Sequence, residues 1–191
     1  MRAILLLLGG FGLAHVIARH AAKQRAAAIL KRFYSEDNFR FSTFLHAFQL
    51  MDYFDHQTIV ETGTMRGGRD SCGDDGCSTL LFSSWTTFRQ NCTVDSVDIS
   101  EAAVEKASLA LAGYGRTTIH KQDSVEFLHA FPRPIDFLYL DSFDYSMDKL
   151  AECQQHHLKE IIAAYDKLHE KSVVMLDDCD LPMGGKCKLV E

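Results

Sequence analysis

Five acidic positions carry most of the chemistry in this 191-residue sequence: Asp98, Asp123, Asp141, Asp177 and Asp178. Each stands at the end of, or just past, a run that reads as a strand. If the runs ending at Leu140 and Leu176 are neighbours, Asp141, Asp177 and Asp178 meet at one edge of a sheet. Carboxylates held that close repel one another, so a cation is their natural partner. An all-oxygen ligand set suits Mg²⁺, Ca²⁺ or Mn²⁺ rather than zinc. The plainer reading is one helix-capping aspartate and two solvated ones. Asp98 closes Val97-Asp98-Ile99, where a carboxylate can accept both hydroxyl protons of a ribose; otherwise it is a solvated strand end or a cap. Asp123, in Gln122-Asp123-Ser124, can reach a base edge, cap the next helix, or do both. Ahead of them lies a glycine-rich turn, Glu61-Thr62-Gly63-Thr64-Met65-Arg66-Gly67-Gly68, and after a long loop Gly76-Cys77-Ser78-Thr79 opens a helix. Glycines allow tight turns and close ligand approach, and a helix start offers free N–H groups.

These residues need a scaffold that presents strand ends side by side. Thr58-Ile59-Val60 begins a short strand leading into Glu61, and Ser78 to Gln90 reads as a helix with Ser78 as its N-cap. A strand over Cys92 to Ile99 precedes a helix over Glu101 to Leu111, capped by Ser100 and closed near Gly113 and Gly115. Thr117 to His120 is a third strand, and Ser124 to Phe131 a short helix. Ile135 to Leu140 is apolar throughout, as in a buried parallel sheet. Leu150 to Leu168 is a long helix and Ser172 to Leu176 a fifth strand. This alternation predicts a parallel α/β sheet, in which ligands bind outside the carboxyl ends of the strands. Upstream, Phe39 to Phe54 reads as a helix whose Phe44, Leu45, Phe48, Leu50 and Met51 cover a sheet edge.

Composition fits a globular chain: 47% hydrophobic and 24% charged, with a net charge of −6. No long basic run is present, which argues against nucleic acid. The six cysteines show no zinc-type spacing and read as free thiols in a reducing compartment; a Cys72–Cys77 disulfide requires export. Ala3 to Ala18 is apolar apart from His15, yet shorter than the ~20 residues that span a bilayer. Arg19, Lys23, Arg25, Lys31 and Arg32 follow it, so an uncleaved anchor leaves the main domain cytoplasmic. A helix packed on the domain or on a partner, and a signal peptide cleaved after Val16-Ile17-Ala18, are the alternatives.

In its order of features, Thr58 to Asp178 resembles the class I S-adenosylmethionine-dependent methyltransferases. Glu61-x-Gly63 followed by Gly76-x-Ser78 looks like their first motif with an inserted loop. Asp98 falls at the ribose-binding acid and Asp123 at the adenine-contacting residue. The resemblance implies a Rossmann-like three-layer α/β sandwich with a mainly parallel sheet, and a cofactor set of Glu61, Gly63, Thr64, Gly76, Ser78, Asp98, Asp123, Ser124 and Asp141. Asp141, Asp177 and Asp178 are similar to the metal ligands of the catechol-type O-methyltransferases. That likeness implies a divalent cation, Mg²⁺ first, which binds the acceptor oxygens and lowers the hydroxyl pKa.

Three departures stand out. Asp144 occupies the position of that family's lysine, so a base must come from elsewhere. His157 and Asp144 are taken as the catalytic pair, with His156 and Lys149 as further candidates. The first-motif loop is longer than usual, and Arg66, Arg69, Asp70, Asp74 and Asp75 in it either cover a ligand or form a solvated loop. Finally, the usual last two strands are lacking, and Gly184 to Val190 looks like the start of the next helix. The expected organisation is a helical N-terminal extension over residues 1–35 and a methyltransferase-like domain over 36–191. The expected activity is O-methyl transfer to a small-molecule acceptor, without nucleic acid. The oligomeric state is not legible, and residues 3–18 are the expected membrane or partner contact. The alternative is a non-catalytic, methyltransferase-like subunit with a structural or cofactor-binding role in a membrane-associated complex. A nucleotide or NAD binder ranks last, because GxGxxG and GxxxxGK[ST] are both missing.

Overall fold

Aromatic spacing organises the first part of the chain. Helix α1 (residues 20–30) leads by a turn into α2 (Phe39–Phe54). Asn38 caps α2 by accepting the Arg40 N–H at 2.9 Å, and Asp55 ends it in a left-handed conformation, φ 56°. Phe41, Phe44, Ala47, Phe48 and Met51 form its buried stripe. Tyr34 stacks on Phe44 at 6.4 Å between centroids. The structure is a computed structural model and describes residues 20–68, 72 and 76–190. It divides into two units, Met1–Asp55 and His56–Glu191. The division falls after α2, whereas the sequence places α2 with the α/β domain; the Tyr34–Phe44 contact ties it to the segment before it.

The second unit is a five-stranded, all-parallel sheet: β1 (Thr58–Thr62), β2 (Thr93–Asp98), β3 (Thr117–Lys121), β4 (Phe137–Leu140) and β5 (Val173–Leu176). The strands run in the order β3-β2-β1-β4-β5. The helices are α3 (Ser78–Thr86), α4 (Glu101–Ala110), α5 (Ser124–Ala130) and α6 (Leu150–Ala164). Alternation along the strands builds two buried faces. Val60, Val97, Leu138 and Leu140 meet Phe127, Leu128 and Phe131 at α5 and Ala164 of α6. On the other face, Phe82 of α3 packs at 5.6 Å against both Phe137 and Tyr139. The sheet is thus sandwiched between helices, as expected. Its strand order reverses between β1 and β4, which opens a crevice at their carboxyl ends.

Element limits differ at the ends. α3 stops at Thr86, and α6 gives way to a 3₁₀ turn at Tyr165–Lys167. Beyond β5 the expected helix is replaced by a kinked 3₁₀ segment, Pro182–Cys187, because Met183, Gly184 and Gly185 all take positive φ. Among the described residues no helix is long and apolar enough to cross a membrane. The apolar segment Ala3 to Ala18 lies outside them, as do Arg69, Asp70, Asp74 and Asp75.

Candidate functional site

The turn after β1 sits in the crevice. Gly63 has φ 81°, donates its N–H to Val97 O at 2.8 Å, and has no room for a side chain: a Cβ would lie 2.2 Å from Asp141 O. The next residue, Thr64, donates its N–H to Asp98 Oδ2 at 3.1 Å, while Asp98 Oδ1 accepts the Ser100 N–H at 2.7 Å. Asp98 therefore pins the β1 turn to the end of β2. Thr79, on the first turn of α3, fastens the same turn from the other side; its Oγ1 accepts the Met65 N–H at 2.9 Å and lies 3.3 Å from Thr64 Oγ1. Sequence reading passed over Thr79. Gly76, with φ 75°, swings the chain into α3. Cys77, not Ser78, is the N-cap, and it makes no side-chain cap bond. Ser78 is one residue inside the helix, where its hydroxyl acts on Glu61.

Glu61 is fully buried. Ser96 Oγ donates to its Oε2 at 2.6 Å, while Oε1 has no partner at full hydrogen-bond geometry. Burial pushes its pKa up to about 7, against the pull of the Ser78, Ser96 and Thr79 hydroxyls. Asp123 caps α5, accepting the Glu126 N–H at 3.0 Å. Ser124 turns inward, its Oγ 3.0 Å from His156 Nε2. His156 also faces Glu160 at 3.3 Å, and Ser142 Oγ donates to that carboxylate at 2.6 Å.

Asp141, Asp177 and Asp178 converge as anticipated, with one oxygen from each within 4.8 Å of the others. A hard divalent cation suits such a donor set. A fourth side chain enters it, however. The Lys186 ammonium, 1% exposed, is ion-paired with Asp141 Oδ1 and stands 3.2 Å from Asp178 Oδ2. Burial opposes its charge, yet the two carboxylates outweigh burial and hold the ammonium above its ordinary pKa. Burial raises Asp141 to about 7, with Lys186 pulling down and Asp177 pushing up.

Asp144 and His157, the expected catalytic pair, are engaged in separate contacts. Asp144 forms a two-pronged ion pair with Arg66, at 2.9 and 2.8 Å, on an exposed face. The pair links the loops that follow β1 and β4. His157 is 0% exposed; its Nδ1–H donates to the Cys153 carbonyl at 2.9 Å, and its Nε2 has no partner. Burial lowers its pKa. Lys149 is exposed. The cysteines also depart from expectation: among the described residues Cys72 pairs with Cys77 and Cys179 with Cys187, at Cα separations of 4.9 and 5.1 Å, while Cys92 and Cys153 stay outside disulfides.

No protein-family model matches the chain. No curated protein matches it either. Solved structures do. A candidate caffeoyl-CoA O-methyltransferase from Staphylococcus aureus superposes with TM-score 0.53 at 14% identity, over 78% of this chain and 62% of its own. The SAH-bound methyltransferase PaMTH1 of Podospora anserina gives 0.51 at 16% identity, over 82% and 61%. A candidate O-methyltransferase from Klebsiella pneumoniae gives 0.53 at 12%, over 91% and 73%. The chain thus spans about three-fifths of the first and second of these. The likeness is one of fold: the chain shares with these three structures the α/β sandwich built on a parallel sheet.

Proposed function

We propose that this chain is an S-adenosylmethionine-dependent methyltransferase acting on an oxygen of a small molecule. The observation that carries the reading is the placing of Asp98 at the crevice beside the Gly63 turn. Its carboxylate already accepts two backbone N–H groups, and each carboxylate oxygen keeps a further lone pair. Those lone pairs suit the two hydroxyls of a ribose. Asp123 and Ser124 stand past β3, where an adenine edge would lie. Glu61 Oε1, buried beside the turn without a full partner, suits the ammonium of the amino-acid arm, directly or through one water. S-adenosylmethionine, when bound, supplies an electrophilic methyl on a sulfonium sulfur. The chain's part is to orient the acceptor oxygen in line with it and to exclude water, which is where most of such a rate arises. A net charge of −6 disfavours nucleic acid as the acceptor. Mg²⁺ in the Asp141, Asp177 and Asp178 triad belongs to the metal-dependent form of this reading; the Lys186 ammonium, in contact with two of those carboxylates, weighs against that form.

A binding role without transfer is favoured by two observations: Asp144 is paired with Arg66, and His157 is fully buried. The test is incubation of the full chain with S-adenosylmethionine and a panel of catechols and other small hydroxylated acceptors, following S-adenosylhomocysteine. Acceptor-dependent product that disappears in Asp98→Ala supports transfer. Cofactor binding with no product from any acceptor supports the binding role.

A further inference from the structure

The segment after β5 is folded back on itself to one end. Asp178 takes φ 54° and Gly185 φ 52°, and a Cβ on Gly185 would lie 1.9 Å from Asp178 O. The return is closed by the Lys186 N–H, which donates to Asp178 O at 3.2 Å, and by the Cys179–Cys187 bridge. Gln154 of α6 holds the outside of the loop, its Nε2 donating to Gly185 O at 2.9 Å and to Met183 O at 3.3 Å. What this construction delivers is one side chain, Lys186, into the space between Asp141 and Asp178.

Two cations cannot occupy that space. Mg²⁺ demands oxygens at about 2.0–2.1 Å in near-octahedral array, and its position between Asp141 and Asp178 is where the Lys186 Nζ stands. To admit a metal, the lysine would have to leave. It is 1% exposed and anchored on both sides, and a buried ammonium stripped of its partners is strongly unfavourable. We infer that Lys186 is the resident cation of the Asp141–Asp177–Asp178 cluster, a tethered replacement for the divalent ion that such a cluster would otherwise hold. It acts as a positioning residue: it neutralises the cluster and fixes the Asp141 carboxylate at the crevice. The inference concerns occupancy of the cluster and stands or falls separately from methyl transfer.

Mn²⁺ titration of the full chain, followed by electron paramagnetic resonance of the free ion, tests it. The wild-type chain is expected to show no saturable site, and its melting temperature no response to Mn²⁺ or EDTA. Lys186→Met, one atom shorter than lysine and without its charge, vacates the position of Nζ and is expected to gain one Mn²⁺ site. Adding Asp141→Asn should weaken that site roughly tenfold or more. One Mn²⁺ bound by the wild type and weakened by Asp141→Asn would overturn the inference, as would a folded Lys186→Met chain that gains no site. Should Lys186→Met fail to fold, the wild-type titration with Asp141→Asn decides alone.

Discussion

Thr64 and Asp98 are joined across the carboxyl ends of β1 and β2, the Thr64 N–H donating to Asp98 Oδ2 at 3.1 Å. With Ser100 on its other oxygen, the carboxylate sets the entry of the crevice before any ligand arrives. A preset acceptor of this kind orders little on binding, which favours affinity. The same bonds make Asp98 part of the fold. Hydrogen bonds to a charged group contribute about 1.5–3 kcal/mol, so replacing Asp98 costs stability as well as binding.

Gly63→Ala should be damaging. The residue holds φ 81°, and a Cβ would collide with Asp141 O at 2.2 Å. Strain at such a position costs about 1–3 kcal/mol. Gly113→Ala is the control: nothing lies within 4 Å of a Cβ there and the position is exposed, so its change should stay within about 0.5 kcal/mol. Urea denaturation of both variants checks the pair; equal stabilities would contradict the close approach of the β1 turn to β4.

Glu61 should make stability depend on pH. Its pKa is about 7 in the fold against 4.5 for the ordinary side chain, so the folded state binds its proton more tightly. This contribution is therefore full below about pH 4.5 and is lost as pH rises through 7. The whole amounts to roughly 3 kcal/mol. Asp141, also raised to about 7, acts with the same sign. Glu61→Gln should remove its own share, so the stability of the variant relative to wild type rises between pH 5 and pH 8. Denaturation at both pH values measures it. Parallel curves would mean that Glu61 is not buried without full compensation.

The Arg66–Asp144 pair lies in solvent, its side chains 50% and 71% exposed. Such pairs contribute less than about 1 kcal/mol. Asp144→Asn should leave the melting curve almost unchanged and should not remove transfer. A loss of about 100-fold or more in rate, the size expected of a missing general base, would restore Asp144 to the catalytic role that its place in the sequence suggested.

Cysteine pairing is checked by alkylation and peptide mass mapping. Without reductant, only Cys92 and Cys153 should be labelled, and only after unfolding, since both are buried. With reductant, all six should be labelled. Labelling of Cys179 and Cys187 in the unreduced chain would remove one closure from the loop that carries Lys186.

Much of the scaffold was legible. The apolar run before Asp141 and the strand signal before Asp98 put those carboxylates at strand ends, where they stand. α2 runs from Phe39 to Phe54, the bounds that its aromatic-rich apolar spacing suggests. What the sequence hides are relations fixed by backbone turns. Lys186 lies within Gly184 to Val190, a segment that reads as a helix start, and the positive φ of Asp178 and Gly185 brings it back to Asp141. Cys179 and Cys187 meet through that same reversal. Asp144 looked free because its partner, Arg66, stands 78 positions away. His157 suggests a base by residue type, and its full burial is not legible from the sequence.

The most direct measurement is calorimetric titration of the full chain with S-adenosylmethionine, beside Asp98→Ala and the control Gly113→Ala. The account predicts saturable binding of one cofactor per chain, retained in Gly113→Ala and weakened roughly tenfold or more, about 1.4 kcal/mol or above, in a folded Asp98→Ala. No binding by the folded wild type, or equal affinity in the Asp98 variant, would contradict it.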